Sequence, residues 1–304
     1  MEFFKANTKI PFMKQRKWAA IFSVIIFLAS IAALISNGLN LGLDFTGGTQ
    51  IEVSFPAPVE ASFIRSAIDK QGFPEAVVQA YNIREYSIRI GIHNDLSQEL
   101  IKQKVKESLP NVTISAVNFI GPQVGKTLMT NGILAIIVSL ICTMIYIALR
   151  FEYRFALSAA IALIHDPVLI LGIFSFFHLE FNLIVLAAVL TVIGYSLNDT
   201  IVVYDRVREN FRKIRKGTSE YVMDLSINQT LSRTIMTSGL TLMVVIALFV
   251  FGGPTLRPFA LALIIGIIIG TYSSIYVAGA LAMVFGLDRA SLIPVAKAVH
   301  DDLP

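Results

Sequence analysis

Six long apolar runs limit what this chain can fold into. They lie at about Trp18–Ile35, Gly132–Leu149, Phe155–Phe177, Leu183–Tyr204, Thr234–Phe251 and Phe259–Phe285, and very few charges interrupt them. A helix needs about 20 residues to cross a hydrocarbon core of about 30 Å, so each run reads as a membrane span. Charged residues make up 15% of the chain and mean hydropathy is +0.70, whereas soluble domains carry about 25% charged residues. The first run follows Lys5, Lys9, Lys14, Arg16 and Lys17 and exceeds the roughly 7–15-residue core of a signal peptide, so it is expected to be an uncleaved anchor.

The sequence pI of 9.1 does not point to nucleic acid, because most basic residues flank the apolar runs. If the N-terminus is cytoplasmic, Arg150, Arg154, Arg206, Arg208, Arg212, Lys213, Arg215, Lys216, Arg233, Arg289 and Lys297 all fall inside. Of the cations in short outer loops, only Arg257 remains. Basic residues accumulate on the cytoplasmic side, so both termini are expected there, with residues 37–130 outside. The basic stretch Asp205–Ser232 is expected to form a loop that attracts anionic lipids. With Cys142 alone and four scattered histidines, no disulfide framework, metal site or cofactor is expected.

Residues 37–130 differ from the rest. Gln50–Phe55 alternates as a strand, Glu60–Gln71 reads as a helix closed by Gly72 and Pro74, and Ala76–Asn82 and Tyr86–Ile92 read as strands. Asp95 and Gln98 have capping-box spacing for a helix to about Leu109, and Val112–Ile120 reads as a last strand. The order βαββαβ predicts a small α/β ferredoxin-like domain. The expected organisation is residues 1–36 as N-terminus and first span, 37–130 as this domain, 131–287 as five further helices, and 288–304 as a tail. The fold class is therefore a six-helix membrane bundle bearing one external α/β domain.

Chemistry is expected where ionisable groups enter apolar runs. At a span centre such a group costs roughly 2.5–3.5 kcal/mol and usually faces protein or a water cavity. Asp199 lies in the fourth run, about five residues from its inner end, with Asn198 before it and Tyr195 and Ser196 one turn earlier. The alternative is an aspartate solvated at the interface. Burial disfavours an ionised carboxylate and a nearby cation favours it, so a carboxylate moved between two such settings can take up and release a proton. Arg233 is the natural cation. It opens the fifth run within a polar stripe of Thr230, Thr234, Thr237 and Thr241. A snorkelling arginine with back-bonded hydroxyls is the competing account. Asp166, between His165 and Pro167 in the third run, reads as a relay or helix-pairing group beside a locally bent or unwound helix.

An intramembrane aspartyl protease would need two carboxylates close enough to share a proton. Asp166 and Asp199 are at different inferred depths and Asp199 lacks a Gly-x-Gly-Asp setting, so no enzyme is expected. GPQVGKT at 121–127 has three residues between its glycines where a phosphate loop needs four, and reads as a turn into the second span. Asp44, Gly47 and Gly48 read as a shaped turn in which Asp44 accepts backbone N–H bonds. Gly266, Gly270, Ser274, Ala278 and Ala282 form a small-residue packing seam.

Four of these stretches together, DFTGGT at 44–49, GPQVG at 121–125, HDP at 165–167 and GYSLNDTIVVYDRVREN at 194–210, resemble the SecD/SecF family of protein-export membrane proteins. That family is similar to the resistance–nodulation–division transporters. The resemblance implies a bacterial inner-membrane subunit with residues 37–130 periplasmic, working with SecD beside the SecYEG channel. YajC is a further candidate partner. It implies use of the proton gradient to move preproteins, with the family's acid on Asp199 and its basic partner on Arg233. Two other readings remain: a scaffold without a proton pathway, and an exporter of small molecules.

Overall fold

The computed structural model describes residues 9–93, 96–214 and 217–288. In chain order, a 3-10 turn (Phe12–Gln15) leads into α1 (Arg16–Asn37). Then come β1 (Asn40–Leu41), α2 (Leu43–Thr46), β2 (Gly48–Ser54), α3 (Ala61–Asp69), β3 (Val77–Ala80) and β4 (Glu85–Ile90). They are followed by α4 (Gln98–Ser108), β5 (Thr113–Ile120), α5 (Pro122–Arg150), α6 (Tyr153–Phe176) and β6 (Glu180–Phe181). The chain continues through α7 (Leu183–Lys213), α8 (Ser219–Phe251) and α9 (Gly253–Tyr272). A π-helical segment, Ser273–Ala278, joins α9 to α10 (Gly279–Val284). Six of the described helical stretches are long and apolar enough to cross a membrane, the last formed by α9 through α10.

The chain divides into two compact units, one of residues 39–136 and 179–186, the other of the remainder. In the first, β2 lies between β4 and β5 and β3 pairs with β4, all antiparallel, in the order β3-β4-β2-β5. This is the strand order a βαββαβ chain takes when its first strand becomes central. Ile51, Val53, Ile88 and Ile90 alternate onto one face and pack with Ile64 and Ile68 of α3 and Ile101 and Val105 of α4, all buried. The expected cap differs: Asp95 lies outside the described residues, and the N-cap is Ser97, whose Oγ accepts the Leu100 N–H at 3.3 Å.

One feature of this unit was absent from the sequence reading. β1 pairs in parallel with β6, in the register Asn40↔Glu180 and Leu41↔Phe181. The glycine pair is required sterically. Gly48 has φ +118°, and a Cβ there would stand 2.4 Å from the Ile90 carbonyl oxygen. GPQVGKT is not a turn. Pro122 begins α5, the favoured place for a residue lacking an N–H, so the helix starts ten residues earlier than hydropathy indicated.

In the second unit, α6, α7 and the α9–α10 span are the inner helices, with 61%, 50% and 56% of their most apolar stretches buried. The corresponding stretches of α1 and α8 are each 17% buried, so wide apolar faces such as Leu240, Met243 and Val244 remain exposed. α6 runs unbroken through Pro167 rather than unwinding. The small-residue seam of α9 packs as expected, with Gly266 against Val192 and Gly270 against Ser196 of α7. The basic stretch Asp205–Ser232 is not a loop; most of it extends α7 and α8 as helix. Some of its charges are paired locally, Arg206 and Lys213 with Glu209, and Asp205 with Arg150. Arg215 and Lys216 lie outside the described residues.

Candidate functional site

The site lies within the helical unit and is built from α7. Asp199 is 3% exposed. Its Oδ2 accepts a long hydrogen bond, 3.4 Å, from Ser238 Oγ of α8, and Ser238 Oγ is 3.0 Å from Thr271 Oγ1 of α9. Among the described residues, the hydrogen-bond partner of the carboxylate is therefore a hydroxyl and not a cation. Arg233 is exposed on α8, five residues before Ser238. No direct ion pair joins the two among the described residues.

One turn earlier on α7, a second polar layer forms. Ser196 Oγ donates to Asp166 Oδ2 of α6 at 2.5 Å, and Asp166 Oδ1 lies 2.9 Å from His165 Nδ1. The imidazole stacks on Phe27 of α1, ring centroids 5.8 Å apart. The Ser196 carbonyl accepts from Thr200 Oγ1 at 3.1 Å and from Ser274 Oγ at 3.3 Å, and those two hydroxyls are 2.9 Å apart. Ser274 lies in the π-helical segment, a distortion frequent at functional sites. Buried polar groups need partners in a medium without water, and the Ser196–Asp166, Ser274–Ser196 and Thr200–Ser274 bonds supply them between helices.

Asp166 and Asp199 are thus nearer in depth than hydropathy suggested. Ser196, which holds Asp166, is three residues from Asp199, roughly 4.5 Å along the helix axis. Each carboxylate has its own hydroxyl partner, and the two do not share a hydrogen bond among the described residues. That is not the shared-proton geometry of a protease.

The supporting residues divide. Ser196 belongs to the site. The Tyr195 hydroxyl is buried without a hydrogen-bond partner among the described residues, and Asn198 is exposed. Of the threonine stripe, Thr230, Thr237 and Thr241 donate to their own helix backbone. Thr234 is buried, its hydroxyl without a partner among the described residues. The residue that reaches Asp199, Ser238, follows Thr234 by four positions, so the same periodicity could have found it. Thr200, Thr271 and Ser274 were also missed, although GTYSS at 270–274 carries three hydroxyls and a phenol inside an apolar span. Asp44 acts as expected with an unexpected donor. Its Oδ2 accepts the Leu183 N–H at 2.9 Å, at the start of α7 rather than in its own turn.

Comparison with known proteins supplies the family. The SecD/SecF protein-export membrane protein C-terminal profile matches residues 100–288, and the SecD/SecF GG motif matches residues 32–59. The SecF protein translocase subunit of Vibrio alginolyticus is 49% identical over 99% of this chain and 98% of its own length. That of Escherichia coli O157:H7 is 42% identical over 93% and 90%. The crystal structure of SecDF, a translocon-associated membrane protein from Thermus thermophilus, superposes with a TM-score of 0.86 at 36% identity. It covers 93% of this chain, which spans only 39% of that longer one. A super-membrane-facing form of SecDF scores 0.70 over the same share.

Proposed function

The chain belongs to the SecD/SecF family of protein-export membrane proteins, and from that premise we propose that it works with SecD to draw on the proton gradient during protein export. The observation that carries the proposal is Asp199, a buried carboxylate whose hydrogen-bond partner is a hydroxyl on α8 and which, among the described residues, forms no ion pair with Arg233. Such a group is unstable as an isolated ion and is poised to change charge. In the proposed cycle a proton neutralises Asp199, its attraction to Arg233 weakens, and α7, α8 and α9 repack around the Ser238–Thr271 hydroxyls. A packing with two arrangements carries the proton's free energy into motion.

Asp166 would serve as the relay. Its hydroxyl partner Ser196 shares α7 with Asp199, so a change of charge at either acid bears on the same helix. The SecYEG channel, YajC, the translocating preprotein and anionic lipids complete the proposed surroundings. Charge distribution supports cytoplasmic termini and a periplasmic sheet domain in a bacterial inner membrane.

The test is Asp199→Asn in membrane vesicles carrying the assembled complex. Preprotein export is expected to fall to the level measured without a proton gradient, and Arg233→Ala should do the same. Full gradient-driven export in the Asn variant sinks the proposal. Full export in both variants favours the scaffold reading.

A further inference from the structure

Arg89 extends from β4 with only 8% of its side chain exposed, on the sheet face opposite α3 and α4. A buried guanidinium is costly unless its donors are matched. Here Nη1 donates to the Leu41 carbonyl oxygen at 3.0 Å and lies 3.4 Å from Glu180 Oε1, while Nη2 donates to Asn40 Oδ1 at 3.2 Å. One side chain therefore holds both strands of the β1–β6 pair. The pair is closed further along by the Gly42 N–H, which donates to the Phe181 carbonyl oxygen at 2.8 Å, and by Phe45 stacked on Phe181 at 5.9 Å. Gly42 admits no side chain, since a Cβ would stand 2.8 Å from that of Asn182. Directly after this pair, Asp44 caps Leu183, the first residue of α7. A carboxylate there also complements the positive end of the helix dipole.

α7 is thus anchored at its first residue, and it is the helix that carries Asp199. The two positions are sixteen residues apart, roughly 24 Å of continuous helix. We propose that Arg89 is a positioning residue whose clamp on the β1–β6 pair, with the Asp44 cap, ties the start of α7 to the sheet, so that movement of α7 at Asp199 is delivered to the sheet domain. The proposal rests on the proton role given above to Asp199. A pair that only held the fold together would not need to join the sheet to the end of the proton-site helix.

The experiment measures three quantities on Arg89→Ala in the assembled complex: export, Asp199-dependent proton uptake, and amide hydrogen exchange. Export is expected to fall roughly tenfold, the scale of a lost coupling. Proton uptake stays within about twofold of wild type. Exchange protection is lost at Gly42 and kept in β2 and β4. Arg89→Lys, which cannot fork between two acceptors, gives an intermediate loss. Asp44→Ala cuts the joint at the α7 end without touching the sheet and is expected to uncouple in the same way, which keeps the test open if Arg89→Ala unfolds the domain. Full export in both alanine variants overturns the clamp and leaves the proton proposal standing. Loss of proton uptake together with export also overturns it, because the residues would then serve the proton site or the fold. Normal export in Asp199→Asn, by contrast, brings down the proton reading itself.

Discussion

At the scale of single residues, burial decides which ionisable groups matter. Glu180 has a side chain 12% exposed. Desolvation pushes its carboxyl above the usual carboxylate range, Arg89 opposes that shift, and Asp44 adds to it. An acid whose pKa is raised by folding binds its proton more tightly in the native state, so local stability falls as pH rises from the ordinary value of 4.5 through the raised one. The exchange protection of the Gly42 amide, corrected for intrinsic rate, is expected to decline over that window in the wild type. It should be nearly flat in Glu180→Gln, and an equal decline in both would place the titration elsewhere. Glu75 shows the opposite case: hydrogen bonding to its own backbone, with His93 beside it, holds its carboxyl low despite some desolvation. Exposed as it is, Glu75 contributes little that solvent would not screen.

At the scale of elements, α7 carries the most. Its apolar faces pack on α6 and α9, its hydroxyl and carboxylate side chains meet three helices, and Asp44 caps its start. Close approach of α9 depends on the missing side chain of Gly266, where a Cβ would stand 2.2 Å from Val192 Cγ2. Gly266→Leu is therefore expected to force the two helices apart at a cost of about 1–3 kcal/mol. The readout is a lower thermal midpoint of the purified chain, with weaker proton coupling because Thr271 and Ser274 share the displaced helix. An unchanged midpoint would mean that α9 shifts freely and that the seam does not hold the site.

For the whole molecule, the proposed orientation rests on the distribution of cations along the sequence. With Cys142 replaced by alanine, Gln103→Cys in α4 is expected to react with a membrane-impermeant maleimide applied from the periplasm. Lys213→Cys, at the end of α7, should react only after the membrane is opened. The reverse pattern would invert the proposed topology. The exposed apolar faces of α1 and α8 suit lipid or the helices of a partner subunit, which agrees with a chain covering only 39% of the SecDF chain it resembles.

How much was legible in the sequence follows from the range of the forces involved. Runs of apolar residues and alternating strands are local patterns, and they determined six spans, a βαββαβ domain and an aspartate that had to be buried or solvated. Helix ends were less legible. Pro122 and the charged turns after Tyr204 continue helices that hydropathy stops, because hydrogen bonding within a helix does not depend on apolarity. The neighbours of the site were decided only by tertiary structure. Ser238 reaches Asp199 across 39 positions, and Asp44 meets Leu183 across 139. Which buried donor finds which acceptor depends on how helices and strands pack, and no spacing along one element encodes that.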